Sequence, residues 1–278
     1  MKKYVKIICR VCLLMGMLAF WSCGEYQQIL KSKDPDVKYQ KALMYFEDQQ
    51  YVKAQTLLDE VTSYYRGTDR SQDVLVYLSR SYMGQKDYVS AAEYYQAYIR
   101  NYPKGRYIVE ARFQVGHCYY LDAPDARLDQ TDTKKAIEFY TQFIELYPES
   151  PYAEQAYKEM NELYDKLAYK EYLSAKLYYN LGTYLGNNYL SAEIVAKNAL
   201  KDYPTNAHQE ELNWLILQAK YQQVLNSVDQ KKEDRARETE DEYYNFITEF
   251  PNSKHLNAAQ KINKEIKKIL NKSTKQII

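Results

Sequence analysis

The sequence predicts an all-α protein, a right-handed solenoid of about five helical hairpins with a C-terminal capping helix. Only 8 Gly and 7 Pro occur among 278 residues, and no run of alternating β-branched residues indicates a sheet. Four aromatic–Pro pairs recur at intervals of 45, 56 and 47 residues, namely Tyr102-Pro103, Tyr147-Pro148, Tyr203-Pro204 and Phe250-Pro251. Internal periods of this size are typical of stacked helical hairpins.

The N-terminal 22 residues have the composition of an export signal. Basic residues at Lys2, Lys3, Lys6 and Arg10 precede an apolar stretch over residues 11–21. This stretch is too short to cross a bilayer as a helix, which takes about 20 residues. Ser22 followed by Cys23 resembles a bacterial lipoprotein cleavage site. We therefore expect a signal peptide over 1–22, a diacylglycerol and palmitoyl anchor on Cys23, a tether over 23–34 and a folded domain over 35–278.

The mature chain predicted in this way carries little net charge and one free thiol. Without residues 1–22 it has 34 basic and 37 acidic side chains, a net charge of −3. A weakly acidic chain without a basic stripe is a poor nucleic-acid binder. Cys9 and Cys12 leave with the signal and Cys23 is acylated, so Cys118 has no partner for an intramolecular disulfide. We expect Cys118 to be buried.

The hairpin that ends at Pro103 fits the tetratricopeptide pattern without insertions. Its packing positions are apolar, aromatic or small: Leu75, Leu78, Ser79, Tyr82, Ala91, Tyr95 and Tyr98. A small residue at Ala91 lets the two helices approach closely, and large residues at helical spacing fill the groove to the next hairpin. Pro103 then prevents the second helix from continuing.

The other hairpins fit the pattern with edits. The first has Ala42, Tyr45, Ala54, Leu58 and Val61 but closes on Arg66; the third has Gly116, Tyr119, Ala136, Tyr140 and Phe143, with a polar insertion over 121–132 expected to project as a loop. The fourth has Leu177, Leu181, Tyr184, Ala192, Ala196 and Ala199. The fifth is the loosest, with a helix near 211–225, a charged linker, then Tyr243 and Phe246, before a capping helix near 256–270.

The segment between Pro151 and Gly186 predicts an unusually long helix. It has no Pro or Gly before Gly182, and apolar residues recur at helical spacing. One helix of about 30 residues, or two nearly coaxial ones, would be about 45 Å long. Such an element could fix the distance between the N-terminal and C-terminal repeats.

No constellation in the sequence indicates catalysis. The three histidines, His117, His208 and His255, fall in different repeats, which argues against a histidine metal site. Neither a Gly-rich phosphate loop nor a Gly-x-Ser-x-Gly elbow is present. The sequence therefore predicts a binding protein without enzymatic activity, metal, cofactor or small-molecule substrate.

The first helices of tetratricopeptide hairpins line a concave face, which is where we expect a partner peptide to bind. The repeat register places these residues on it: Tyr39, Phe46, Val76, Arg80, Phe113, His117 and Tyr120. An aromatic and apolar lining of this kind would suit an extended segment that carries aromatic side chains. Most of the 32 tyrosines are nevertheless expected to fill space between helices.

Two stretches, residues 136–156 and 167–192, resemble BamD-type outer-membrane assembly lipoproteins. This resemblance implies a position on the periplasmic leaflet of the outer membrane. It also implies binding to the periplasmic domains of the barrel-forming BamA subunit and to unfolded β-barrel clients. Tyr65 matches the family's Tyr at the end of the first repeat, and we add it to the candidate groove. A family Arg that would contact BamA falls on Val195, with Lys197 as a weak substitute.

Two alternative functions remain open from the sequence. The first is a tetratricopeptide lipoprotein scaffold for cell-envelope or peptidoglycan maintenance. The second is a glycan-binding solenoid lipoprotein, although the chain has only two Trp with which to stack on sugars.

Overall fold

The computed structural model of the chain describes residues 24–276, with side chains over 24–272. The signal at 1–22 and the acylation site Cys23 lie outside the described residues. Every regular element within 24–276 is a helix, which confirms the all-α class. The helices are α1 (residues 24–31), α2 (Pro35–Glu47), α3 (Tyr51–Thr62), α4 (Arg70–Gly84), α5 (Tyr88–Asn101), α6 (Ile108–Asp122), α7 (Thr131–Leu146), α8 (Ala153–Leu181), α9 (Asn188–Asp202), α10 (Gln209–Leu225), α11 (Asp229–Glu249) and α12 (Leu256–Gln276).

The described chain divides into two compact units. Unit 1 holds residues 24–123 and 134–156, and unit 2 holds residues 124–133 and 157–276. Within the described residues, no helix has the length and apolar content needed to cross a bilayer.

Unit 1 consists of the hairpins α2–α3, α4–α5 and α6–α7. Small residues mark the positions where helices approach: Ala54, Ala91 and Ala136 are completely buried. Gly116 serves the same purpose on α6, because a Cβ there would lie 2.7 Å from the Tyr140 ring on α7. The packing residues expected around Pro103 are buried or half-buried, which confirms the repeat register in this unit.

The described part of the expected tether belongs to the fold of unit 1. Residues 24–31 form α1, and Ile29 is buried in the same cluster as Leu58. Tyr26 meets Tyr45 edge to face, with their ring centroids 5.6 Å apart. Tyr26 and Ile29 are three residues apart and therefore share one face of α1. This apolar face packs α1 against the rest of unit 1.

Most of α8 belongs to unit 2, and α8 is a single helix of 29 residues, the first of the two forms expected for this segment. Its role as a spacer stays a prediction. One cluster joins α8, α9 and α10 through Ala175, Ala196 and Leu212. A second joins α10, α11 and α12, so that α12 covers the end of this unit as the predicted capping helix.

The structure contradicts two expectations, the charged linker before Tyr243 and the projecting loop over 121–132. The charged stretch before Tyr243 is the first part of α11, because its apolar face buries Ala236 and Thr239. The insertion before α7 does not project freely. Ala126 and Gln130 are buried, and the Lys170 ammonium on α8 donates to the Leu128 carbonyl at 2.7 Å.

The packing positions predicted at the end of α8 are wrong. Leu177, Leu181 and Tyr184 are exposed, by 59%, 39% and 67%. Gly182 adopts a left-handed φ of +57° and ends the helix at Leu181, so Tyr184 lies in a turn. The repeat register that holds in unit 1 therefore does not extend through this turn.

Candidate functional site

The eight predicted groove residues all lie in unit 1, but half of them are interior. Tyr39, Tyr65, Val76 and Phe113 are buried, whereas Phe46, Arg80, His117 and Tyr120 are partly exposed. All are carried by α2, α4 and α6, except Tyr65, which follows α3. The binding of a peptide to this set stays a prediction.

Phe113 and Val76 are packing residues rather than accessible lining, which corrects the expectation for these two positions. Phe113 stacks on Tyr152 at 4.8 Å between centroids and meets Phe143 at 5.7 Å. Tyr152 precedes α8 and covers this part of α6, which the repeat register alone did not foresee. Val76 is 1% exposed and belongs to the cluster of α4, α5 and α6.

The accessible residues of the predicted set make ring contacts. Phe46 meets Tyr77 at 5.1 Å between centroids and Tyr51 at 5.6 Å, both edge to face. His117 stacks against Tyr120 with their centroids 6.0 Å apart. These contacts hold the rings of unit 1 in fixed orientations.

Tyr65 anchors a cluster of polar contacts between the first two hairpins. Its hydroxyl donates to Asp36 Oδ1 at 2.6 Å, and Arg70 pairs with the same carboxylate. The Arg70 guanidinium lies over the rings of Tyr39 and Tyr65, at 5.2 and 5.0 Å from their centroids. The hydrogen bonds from Tyr65 and Arg70 lower the pKa of Asp36 below its ordinary value.

Asp73 holds a second cluster, between α4 and the start of α6. It accepts a hydrogen bond from the Tyr107 hydroxyl at 2.8 Å and pairs with Arg106. Burial, together with the nearby Asp73 charge, raises the pKa of Tyr39 to about 12. The Tyr39 hydroxyl is therefore harder to deprotonate than that of an ordinary tyrosine.

Arg80 makes a bidentate ion pair with Glu110. Its Nε and Nη2 donate to the two carboxylate oxygens of Glu110 at 2.8 and 2.7 Å. Burial alone would lower the pKa of Arg80, but the pairing with Glu110 outweighs it and the pKa is raised. A bidentate pair of this kind fixes the guanidinium plane, which also lies over Tyr77 and Tyr107.

An open depression adjoins the first two of these clusters. We call it the Tyr65 depression, and its lining consists of Asp36, Tyr64, Tyr65, Thr68, Asp69, Arg70, Asp73 and Arg106. Its volume is about 520 Å³, and Tyr64 at its edge is 63% exposed. Aromatic rings and charges of both signs therefore stand next to each other at an accessible surface.

Sequence reasoning missed the charged members of this surface, although a signal for them exists. Asp36 and Arg70 are 34 residues apart, and so are Asp73 and Tyr107. This separation is the length of one tetratricopeptide repeat, so equivalent positions in successive hairpins meet. A search for complementary polar residues at that spacing would have found both pairs.

The Cys118 thiol lies in the interior of unit 1. Burial raises the pKa of the Cys118 thiol to about 12, and its Sγ lies 3.2 Å from the Met83 sulfur. Cys118 is completely buried, as predicted, and a protonated buried thiol is unreactive. Among residues 24–276, no group of three or more His, Cys, Asp or Glu side chains could hold a metal ion.

Helical hairpins that pack on their neighbours in this way define a helical-repeat protein. The chain belongs to the YfiO family of outer membrane lipoproteins, whose sequence model matches residues 31–186, more than half of the chain. A curated relative from Aquifex aeolicus (strain VF5), the "putative outer membrane protein assembly factor BamD", is 33% identical over 172 residues. That alignment covers 61% of this chain and 56% of the relative, so it spans little more than half of the relative's length.

Two solved helical structures overlap most of the chain. One is a putative kinesin light chain from Podospora anserina with nearly identical tetratricopeptide-like repeats, at 12% identity and a TM-score of 0.37. It covers 86% of this chain and 95% of that structure. The other is the apo form of RapI, at 12% identity and a TM-score of 0.35, with 93% and 97% covered.

Proposed function

We propose that the protein is a non-enzymatic scaffold of the machinery that assembles β-barrel proteins in the outer membrane. The observation that carries this proposal is the match to the outer membrane lipoprotein family, together with a relative named as an assembly factor. A lipid on Cys23 would hold the protein at the periplasmic face. Tethering would raise the effective concentration of client chains at the membrane, with no need for catalysis.

Unit 1 would bind the unfolded client. An unfolded β-barrel protein exposes aromatic side chains and unpaired backbone groups, and the Tyr65 depression offers a surface for both. The exposed Tyr64 ring can stack on a client ring, while Arg70 and Asp73 can exchange hydrogen bonds with client backbone. Because these groups are already held by Asp36 and Tyr107, little side-chain entropy is lost on binding.

Unit 2 would dock on the periplasmic domains of BamA. Val195 is half-buried against the cluster of α8, α9 and α10, and Lys197 pairs with Glu193 at 2.7 Å. Neither position offers the unpaired cation that the family resemblance would place here. We therefore expect this docking surface to depend on apolar contacts more than on one ionic contact.

Depletion of the protein in its own cell tests the role. We expect loss of folded β-barrel proteins from the outer membrane, with BamA recovered alongside the protein in mild detergent. Defective septation or peptidoglycan with normal barrels would support the alternative envelope-maintenance scaffold. Recovery of the protein without BamA would count against the assembly role.

A binding assay tests the site. We expect the double variant Tyr64→Ala and Arg70→Gln to weaken binding of a fluorescent unfolded β-barrel segment about tenfold or more. Arg127→Gln is the matched control, since Arg127 is an exposed cation in unit 2. Unchanged affinity in the double variant, with an unchanged melting temperature, would remove the depression from the proposal.

A further inference from the structure

Helix α12 has an apolar face and, opposite to it, a face of lysines. Ile262 and Ile266 are buried in the cluster of α10, α11 and α12. With about 3.6 residues per turn, the lysines fall within an arc of about 140° on the side of the helix away from Ile266. All five lysines within residues 256–272 are exposed, namely Lys261, Lys264, Lys267, Lys268 and Lys272. We call these five residues the lysine face.

Most of the charge on the lysine face has no counter-charge in the described part of unit 2. The neighbouring helix α11 carries eight acidic and four basic side chains, so it could have supplied one. Between these two helices, however, the one ion pair among the described side chains joins Lys267 Nζ and Glu240 Oε1 at a long 3.9 Å. Lys268 pairs with Glu265 of its own helix. The other three make no ion pair with a described residue: Lys261, Lys264 and Lys272.

The composition of the lysine face favours a plane of mobile anionic groups over a folded protein partner. Within residues 256–272, no Arg, aromatic or large apolar side chain is exposed. Protein interfaces depend on buried anchors of those types, and lysine is depleted from them. The lysine ammonium is a point charge on a flexible stem and needs no fixed partner geometry. The phosphates of a lipid bilayer present charges of this mobile kind.

The apolar face of α12 is already buried against α10 and α11, so it cannot insert into a bilayer. Contact with a membrane would therefore be electrostatic and would lie at the level of the headgroups. We propose that the lysine face binds the anionic phospholipid headgroups of the membrane in which the protein is anchored. It gives unit 2 a membrane contact of its own, besides the acyl chains on Cys23. This inference rests on the proposed membrane attachment, but on neither client binding nor the docking of BamA.

Lysine acetylation of the full protein, purified from its membrane and reconstituted into vesicles, tests this inference. The vesicles contain phosphatidylcholine alone, or phosphatidylcholine and phosphatidylglycerol in equal parts. We expect a water-soluble acetylating reagent to label Lys261, Lys264 and Lys272 roughly threefold or more slowly on the anionic vesicles, as read by mass spectrometry. Sodium chloride at about 1 M, where the Debye length is about 3 Å, should remove this protection. Equal labelling on both kinds of vesicle would overturn the inference.

Two exposed lysines on other elements serve as internal controls. Lys104 follows α5 in unit 1, and Lys201 lies in the last turn of α9 in unit 2. Each should be labelled at the same rate on both kinds of vesicle. Protection of Lys104 and Lys201 equal to that of the lysine face would mean that anionic lipid attracts exposed lysines in general, and it would overturn the assignment to α12.

A triple variant removes the unpaired cations of the face, by Lys261→Gln, Lys264→Gln and Lys272→Gln. The melting temperature should not change, because all three side chains are exposed and make no ion pair. Lys268, which should be protected on anionic vesicles in the unaltered protein, should lose that protection in the variant. The matched control replaces three exposed lysines elsewhere and should keep it: Lys86→Gln, Lys104→Gln and Lys201→Gln. Retained protection of Lys268 in the α12 variant contradicts the proposal.

Two further measurements separate the alternatives. Flotation with phosphatidylcholine vesicles reports the lipid anchor by itself. A protein that floats only with the anionic vesicles would contradict the anchor on Cys23 and would still support binding by the lysine face. Protection of the lysine face by soluble polyglutamate, but not by anionic vesicles, would assign the face to an acidic protein and overturn the proposal.

Discussion

At the scale of the residue, Asp36 shows how one carboxylate organises the surface of unit 1. It accepts hydrogen bonds from Tyr65, at the end of the same repeat, and from Arg70, which lies one repeat away in sequence. The two bonds favour the charged carboxylate, which is why its pKa is lowered in the folded protein. Since Arg70 in turn covers Tyr39 and Tyr65, loss of Asp36 would release several groups together.

Asp36→Asn should therefore lower the melting temperature at neutral pH but not in acid. The folded pKa of Asp36 is below the unfolded value of about 3.9, so its contribution is present above that value. The contribution is lost as the pH falls through the lowered pKa. Thermal unfolding of both proteins should be followed from pH 7 downward. The difference between their melting temperatures should disappear below about pH 4.

Asp241→Asn, at an exposed carboxylate on α11, controls for the general effect of removing a negative charge. If the difference in melting temperature between Asp36→Asn and the unaltered protein stayed constant over this pH range, the lowered pKa could not be assigned to Asp36.

At the scale of the element, the insertion before α7 and helix α8 depend on each other. The Gln130 side chain satisfies backbone carbonyls of the turn, because its amide donates to the carbonyls of Asp125 and Leu128. Thr133 donates to the same Gln130 side chain at 2.8 Å. Lys170 then fixes the turn to α8 through the Leu128 carbonyl. A polar segment that looks like a free loop in sequence is therefore a packed turn.

Lys170→Met should free this turn and expose it to protease. Arg127 lies in the turn with an exposed side chain, so trypsin cleavage after Arg127 reports its opening. We expect cleavage several-fold faster in Lys170→Met, because a hydrogen bond from a charged donor is lost. Lys158→Met, at an exposed position on the same helix, is the control. Equal cleavage rates in the two variants would show that the Lys170 contact does not hold the turn.

At the scale of the whole molecule, stability is built from local clusters. Leu58 packs in the cluster of the first hairpins, whereas Leu212 packs in the cluster of α8, α9 and α10. In helical-repeat proteins each repeat contacts mainly its neighbours, so a defect in one cluster is felt most nearby.

Leu212→Ala should therefore destabilise unit 2 selectively. Leu212 is completely buried, and its truncation is expected to cost about 2–5 kcal/mol. Hydrogen–deuterium exchange should accelerate in α9, α10 and α11 and change little in α2, α3 and α4. Leu58→Ala, which is equally buried in unit 1, should give the reverse pattern. Uniform acceleration in both variants would mean that the described chain unfolds as one cooperative body.

The sequence by itself determined the helical class, the hairpin register of unit 1 and the presence of an unusually long helical segment where α8 lies. These follow from local signals, namely small residues at close approaches, apolar residues at helical spacing and Pro after the second helix. The burial of Cys118 could be inferred in the same way, from one leftover thiol in an apolar stretch.

Only the tertiary structure decided which aromatic side chains are accessible. Phe113 sits at a lining position of the repeat, yet Tyr152, 39 residues further along the chain, covers it. The same holds for Asp36 and Arg70, whose contact depends on how successive hairpins stack. Helical periodicity records which face of a helix is apolar, but not which distant segment covers that face, because this depends on contacts between residues far apart in sequence.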